Sequence, residues 1–159
     1  MDENFEMIRA NKNLELEVNK LLECNRYLEE YNLHLTKDDV IVILSDRKET
    51  IKTNGRIEFG KWVIEEIIKE FCDSPYLSGD GIVEVLNELL NIFYHYKNET
   101  KDLVTDEELI KFMKKYFDGD AHGDLEILRD VYMEKMRKNV LLRKSMESGF
   151  DEWKFRKNN

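Results

Sequence analysis

Apolar positions recur along this chain with helical spacing almost from end to end. Met7, Leu14, Leu21 and Leu28 fall seven residues apart, with Asn11, Val18 and Asn25 between them and Ile8 and Leu22 widening the stripe. That pattern predicts one helix over residues 5–31. Its width favours a core-facing helix over a coiled coil, although an asparagine at such a position also sets register between paired helices. Thr36, with Asp39 three residues on, reads as a capping box opening a second helix to about Lys52, and Asn54-Gly55 is its stop. The β-branched run Val40-Ile41-Val42-Ile43 also suits a strand. The preceding cap and the continuing phase of Leu44, Lys48 and Ile51 decide for helix.

Further along, Arg56-Ile57-Glu58-Phe59 predicts a short extended segment, and Gly60 begins a third helix carrying Ile64, Ile67, Ile68, Phe71 and Cys72 on one face. Pro75 ends it, because the residue before a proline is driven from the helical region. Ser78 to Asn98 form a fourth helix, with Ile82, Val85, Leu86, Leu89, Leu90, Phe93 and Tyr96 inward and Glu84, Glu88, Asn91 and His95 outward. Thr105 and Glu108 frame a fifth helix to about Phe117, and a sixth spans Asp124 to Lys144. The expected fold is all-α: one helical domain of about six helices over residues 1–145, followed by an aromatic and basic tail over 146–159.

Composition fits that picture. The 159 residues hold 42% hydrophobic and 37% charged residues and one proline, the profile of a globular chain. The longest aliphatic run, Val40 to Leu44, falls far short of the roughly 20 residues of a membrane span, and the amino terminus shows no signal-peptide pattern. Cys24 and Cys72 are too far apart for a C-x-x-C pair. A reducing cytoplasm is therefore the expected compartment, with no membrane partner.

Net charge is −9 from 25 basic and 34 acidic residues, and it is unevenly spread. Residues 1–130 carry −13 and residues 131–159 carry +4. The acidic bulk repels a phosphate backbone, so nucleic acid is not an expected partner. In the tail, Phe150, Trp153 and Phe155 interleave with Glu152, Lys154, Arg156 and Lys157. Such a segment suits docking on its own domain, or insertion into a partner through buried aromatic anchors.

Cys24-Asn25, Gly55 to Gly60, Phe71-Cys72-Asp73-Ser74-Pro75-Tyr76, Ile92 to Glu99 and Phe117-Asp118-Gly119, in that order, resemble a family of uncharacterised proteins of about this length. The family is found mainly in clostridial-type bacteria. The resemblance implies no activity, cofactor or site residue.

Candidate chemistry is sparse. Asp118, Asp120, Asp124 and Glu126 match positions 1, 3, 7 and 9 of a calcium loop, but Arg129 stands where the closing bidentate carboxylate belongs, and His122 takes position 5. The alternative reading is a helix cap followed by an acidic first turn. Cys72 and Asp73 place a thiol and a carboxylate at a helix end, where a structural cysteine is expected, since a reactive one wants a helix N-terminus or a cation. Glu88 and His95 share a face without the Glu-x-x-His motif of di-iron bundles. No phosphate-binding, hydrolase-elbow or zincin motif occurs. The expectation is a non-catalytic interaction protein, binding another protein or a second copy of itself, without a cofactor. The alternative is a helical small-molecule or metal-binding protein, or an enzyme, with a site near Cys72, Asp73 and His95.

Overall fold

In the computed structural model every regular element is helical, and no strand occurs among the described residues. Backbone is described for residues 2–58 and 62–157, and side chains for residues 11–58 and 62–147. The chain falls into two compact units, Met1–Asn91 and Ile92–Asn159.

The first unit contains α1 (Asp2–Leu22), α2 (Asn25–Leu28) with a 3-10 turn over Glu29–Tyr31, α3 (Lys37–Thr53), α4 (Val63–Phe71) and the first half of α5 (Ile82–Glu99). The single helix expected over 5–31 is broken at Glu23 and Cys24. The physical reason is Asn25. Its side chain donates to the Leu35 carbonyl (2.9 Å) and accepts from the Leu35 amide (2.8 Å), imitating a strand partner for a buried backbone stretch. The Asn25 position in the stripe therefore serves the chain's own connection. Val18, Leu21 and Leu28 are buried as the stripe requires, but Leu14 is exposed, and Met7 and Ile8 lie outside the described side chains.

Helix α3 forms as the cap demanded. The Thr36 hydroxyl accepts from the Asp39 amide (3.1 Å), and the Asp39 carboxylate accepts from the Thr36 amide (2.9 Å). Val40, Ile43 and Leu44 are buried while Ile41 and Val42 face solvent, a helical and not an alternating division. The helix closes at Gly55, whose φ of +62° only glycine adopts cheaply, with the Arg56 amide bonded back to the Ile51 carbonyl (2.9 Å).

Residues 56–58 are irregular, and Phe59 and Gly60 lie outside the described residues. Helix α4 begins at Val63, not at Gly60, because Glu58 reaches forward to cap it: its Oε1 accepts from the Val63 amide (2.7 Å). The other oxygen of Glu58 meets the Arg47 guanidinium at 3.3 Å, and Arg47 and Lys20 both lie over the Trp62 ring, 4.8 and 4.3 Å from its centroid. Beneath this polar cluster Ile64, Ile67, Ile68 and Phe71 are buried. Asn91, expected to be solvated, accepts from the Thr50 hydroxyl at 2.9 Å and so ties α5 to α3.

The second unit holds the remainder of α5, then α6 (Asp106–Asp118), α7 (Leu125–Ile127), a π turn over Leu128–Met133, and α8 (Glu134–Lys157). The helix expected to end at Lys144 continues in backbone to Lys157, through the stretch expected as a tail. Phe93, Tyr96, Leu109, Met113, Phe117, Leu128 and Met133 are among the unit's buried side chains.

Replacing Asn25 by alanine leaves two buried backbone groups of Leu35 without partners, and is expected to lower unfolding stability by about 2–4 kcal/mol. A urea midpoint equal to that of the wild type would contradict this role for Asn25.

Candidate functional site

The Thr105 hydroxyl accepts from the Glu108 amide (3.2 Å) and starts α6, whose acids Asp106, Glu107 and Glu108 sit at the positive end of the helix dipole. Leu109, Ile110, Met113 and Phe117 turn inward. Phe112 and Tyr116, one turn apart at the edge of that buried face, remain half-buried, with ring centroids 4.6 Å apart. Tyr116 also stacks on Tyr132, at 4.7 Å and an interplanar angle of 18°.

Between α6 and α8 this aromatic edge opens into a groove with two adjoining hollows of about 230 and 270 Å³. Phe112, Met136, Val140 and Arg143 line both. The first hollow reaches Tyr116, Tyr132 and Lys135, and the second reaches Leu103, Val104 and Glu108. From α8 and the π turn, residues 132, 135, 136, 139, 140 and 143 follow the three-and-four spacing of one helix face.

Two polar devices fix the groove's walls. At the π turn, the buried Tyr96 hydroxyl lies 2.8 Å from both the Arg129 carbonyl and Glu134 Oε1, so one hydroxyl proton serves two acceptors. Burial first, and then the Glu134 carboxylate, hold the Tyr96 hydroxyl protonated well above its ordinary range. The same hydrogen bond, followed by the Arg137 guanidinium at 3.0 Å, lowers the Glu134 pKa. At the other end, buried Lys97 donates to the Val104 carbonyl (2.6 Å) and pairs with Asp106 (2.8 Å). It pins a connection in which Lys101 and Asp102 both adopt left-handed backbone, with φ of 54° and 59°. That conformation costs each non-glycine residue about 1–2 kcal/mol. It delivers Leu103 and Val104 to the groove.

The loop read as a possible cation site is a capping loop in its geometry. Asp118 pairs with Lys114 (2.8 Å), and Asp124 Oδ1 accepts from the Ile127 amide (3.0 Å) as the N-cap of α7. Asp120 and Glu126 are exposed. No group of three histidine, cysteine or carboxylate side chains is placed to hold a metal among the described residues. Gly119 is dictated by space, since a Cβ there would stand 2.8 Å from the Lys115 carbonyl oxygen.

Cys72 is buried at the end of α4, its thiol 3.2 Å from the Lys69 carbonyl, and Asp73 beside it is exposed. His95 belongs to the second unit and is exposed on α5, edge-on to Tyr96 at 4.8 Å. Phe150, Trp153 and Phe155 lie outside the described side chains. Sequence reasoning missed Phe112, Tyr116 and Tyr132. The available signal was an aromatic pair at i and i+4 set one position off the buried stripe of α6.

Tyr96→Phe removes the hydroxyl that holds the π turn, and an unfolding loss of about 1–2 kcal/mol is expected from denaturant titration. An unchanged midpoint would remove Tyr96 from this account. Burial first, and then Glu65, push Cys24 from an ordinary 9.0 up to about 11. Native protein at neutral pH is expected to resist a thiol reagent at both cysteines until denaturant is added. The unfolded chain sheds the Cys24 proton first as pH rises. Its contribution is therefore complete below pH 9 and lost between 9 and 11, and Cys24→Ala should show a smaller alkaline loss of stability than wild type.

No curated protein and no solved structure matches this chain. Residues 20–146 match the model of a family of unknown function (DUF6323), which takes in α2 to α7, the π turn and the groove, and the chain belongs to that family.

Proposed function

We propose that this chain is a non-catalytic protein-interaction module that takes an apolar segment of another protein into the groove between α6 and α8. The observation that carries this reading is the pair of adjoining, half-open hollows lined by Phe112, Tyr116, Tyr132, Met136 and Val140. Each is smaller than the ~300 Å³ lower end of small-molecule pockets, and each suits one apolar side chain. Aromatic residues, methionine and arginine are the types enriched where proteins dock, because they supply contact area at little entropic cost. Leu103, which lines the groove, is 43% exposed. The reading carries with it the bacterial cytoplasm suggested by the sequence resemblance and by two cysteines that are not joined in a disulfide.

Co-purification from the source organism tests it, with Val140→Glu to block the groove and Ile57→Ser as a control at a highly exposed site of the first unit. Wild type and Ile57→Ser are expected to recover the same partner at fixed stoichiometry, and Val140→Glu to lose it while keeping its helical circular dichroism. Recovery of the same proteins by all three, or of the chain alone by wild type, would overturn the reading.

A further inference from the structure

The charges around the groove specify what kind of segment it takes. In the second unit, five cations each sit on a carboxylate: Lys97 on Asp106, Lys111 on Glu107, Lys114 on Asp118, Arg129 on Asp130 and Arg137 on Glu134. Lys101, Lys115, Lys135, Lys138, Arg143 and Lys144 form no such pair among the described residues, and of these Lys135 and Arg143 line the groove. Glu108 is the single carboxylate lining either hollow, and it belongs to the second alone. The lining of the first hollow thus has a net charge of +2 and contains no acid.

We propose that the occupant is an acidic peptide segment of a partner protein, presenting two neighbouring apolar side chains flanked by carboxylates. The inference rests on the groove reading above and adds the partner's chemistry to it. The two hollows take the apolar side chains on either side of the shared wall formed by Phe112, Met136 and Val140. Lys135, at the edge of the first hollow, and Arg143, common to both, take the carboxylates. The guanidinium suits bidentate pairing, and the ammonium acts as a point charge. Two exposed cations add modest affinity, but they select the sign of the partner. A basic segment would meet Lys135 and Arg143 directly and the acidic remainder only elsewhere.

The test uses the full-length chain and two short amphipathic peptides of identical apolar sequence, with leucine and phenylalanine at i and i+4. One carries glutamate and the other lysine at the remaining positions. Binding is followed by fluorescence anisotropy at low and high salt. The glutamate peptide is expected to bind roughly tenfold more tightly at low salt, and the gap to narrow as salt screens the rim. The double variant Lys135→Glu/Arg143→Glu is expected to reverse the preference. Equal binding of both peptides, abolished by Val140→Glu, would overturn the acidic assignment and leave the groove reading intact. Binding of neither peptide, or binding indifferent to Val140→Glu, would overturn both. Self-association of the chain that the double variant abolishes would make a second copy the occupant and overturn the proposal.

Discussion

The Tyr96 hydroxyl stands at the centre of the second unit's architecture. An α-helix satisfies its own backbone, but a π turn widens the ladder and opens a carbonyl to other donors, here that of Arg129. Tyr96 supplies the donor and reaches Glu134, the first residue of α8, with the same oxygen. Because the turn sits immediately before α8, it sets the rotation of that helix, and with it which residues look towards α6. Tyr132 stacks on Tyr116 from within the turn itself. The same constraint recurs at three other places where the chain leaves regular helix. Asn25 satisfies Leu35, Glu58 satisfies the first amide of α4, and Lys97 satisfies Val104. Tyr96, Asn25, Glu58 and Lys97 thus each hold one interruption of a largely helical chain.

Charge follows a related economy. Glu58 and Arg47 are mostly buried partners, while the carboxylates of α6 and its neighbours lie mostly at the surface and neutralise the cations near them. Surface pairs of this kind contribute well under about 1 kcal/mol each, so their effect on stability is small. Their larger effect is on the field. They engage five cations of the second unit with carboxylates, and at the groove they leave Lys135 and Arg143 beside apolar surface.

Local signals carried most of the fold. The capping box at Thr36, the N-cap at Thr105, the stop at Gly55 and the break before Pro75 depend on neighbours within a few residues, and each formed where the sequence placed it, though at Thr105 only the hydroxyl's half of the expected box is present. The choice of helix for Val40 to Leu44 was legible because the cap came first. What the sequence did not disclose depends on distant partners. The break at Cys24 needs Leu35, ten residues beyond Asn25, and the start of α4 needs a carboxylate that periodicity does not single out. The π turn is invisible to a count of helical spacing, since one added residue per turn only shifts the phase. The groove was hidden for the same reason: Phe112 and Tyr116 on α6 meet Tyr132 only through the phase that the π turn sets.

The aliphatic run of α3 has a consequence beyond the native fold. Val40-Ile41-Val42-Ile43-Leu44 has the composition of a strand, with high β-propensity, no charge and no proline, and Ile41 and Val42 already face water. In an unfolded or partly opened chain such a segment is a template for intermolecular cross-β pairing. The reciprocal bonds of Thr36 and Asp39, placed immediately before it, therefore act as a gatekeeper. By holding the run in helix they keep its backbone amides engaged with its own carbonyls, and so deny them to a neighbouring molecule.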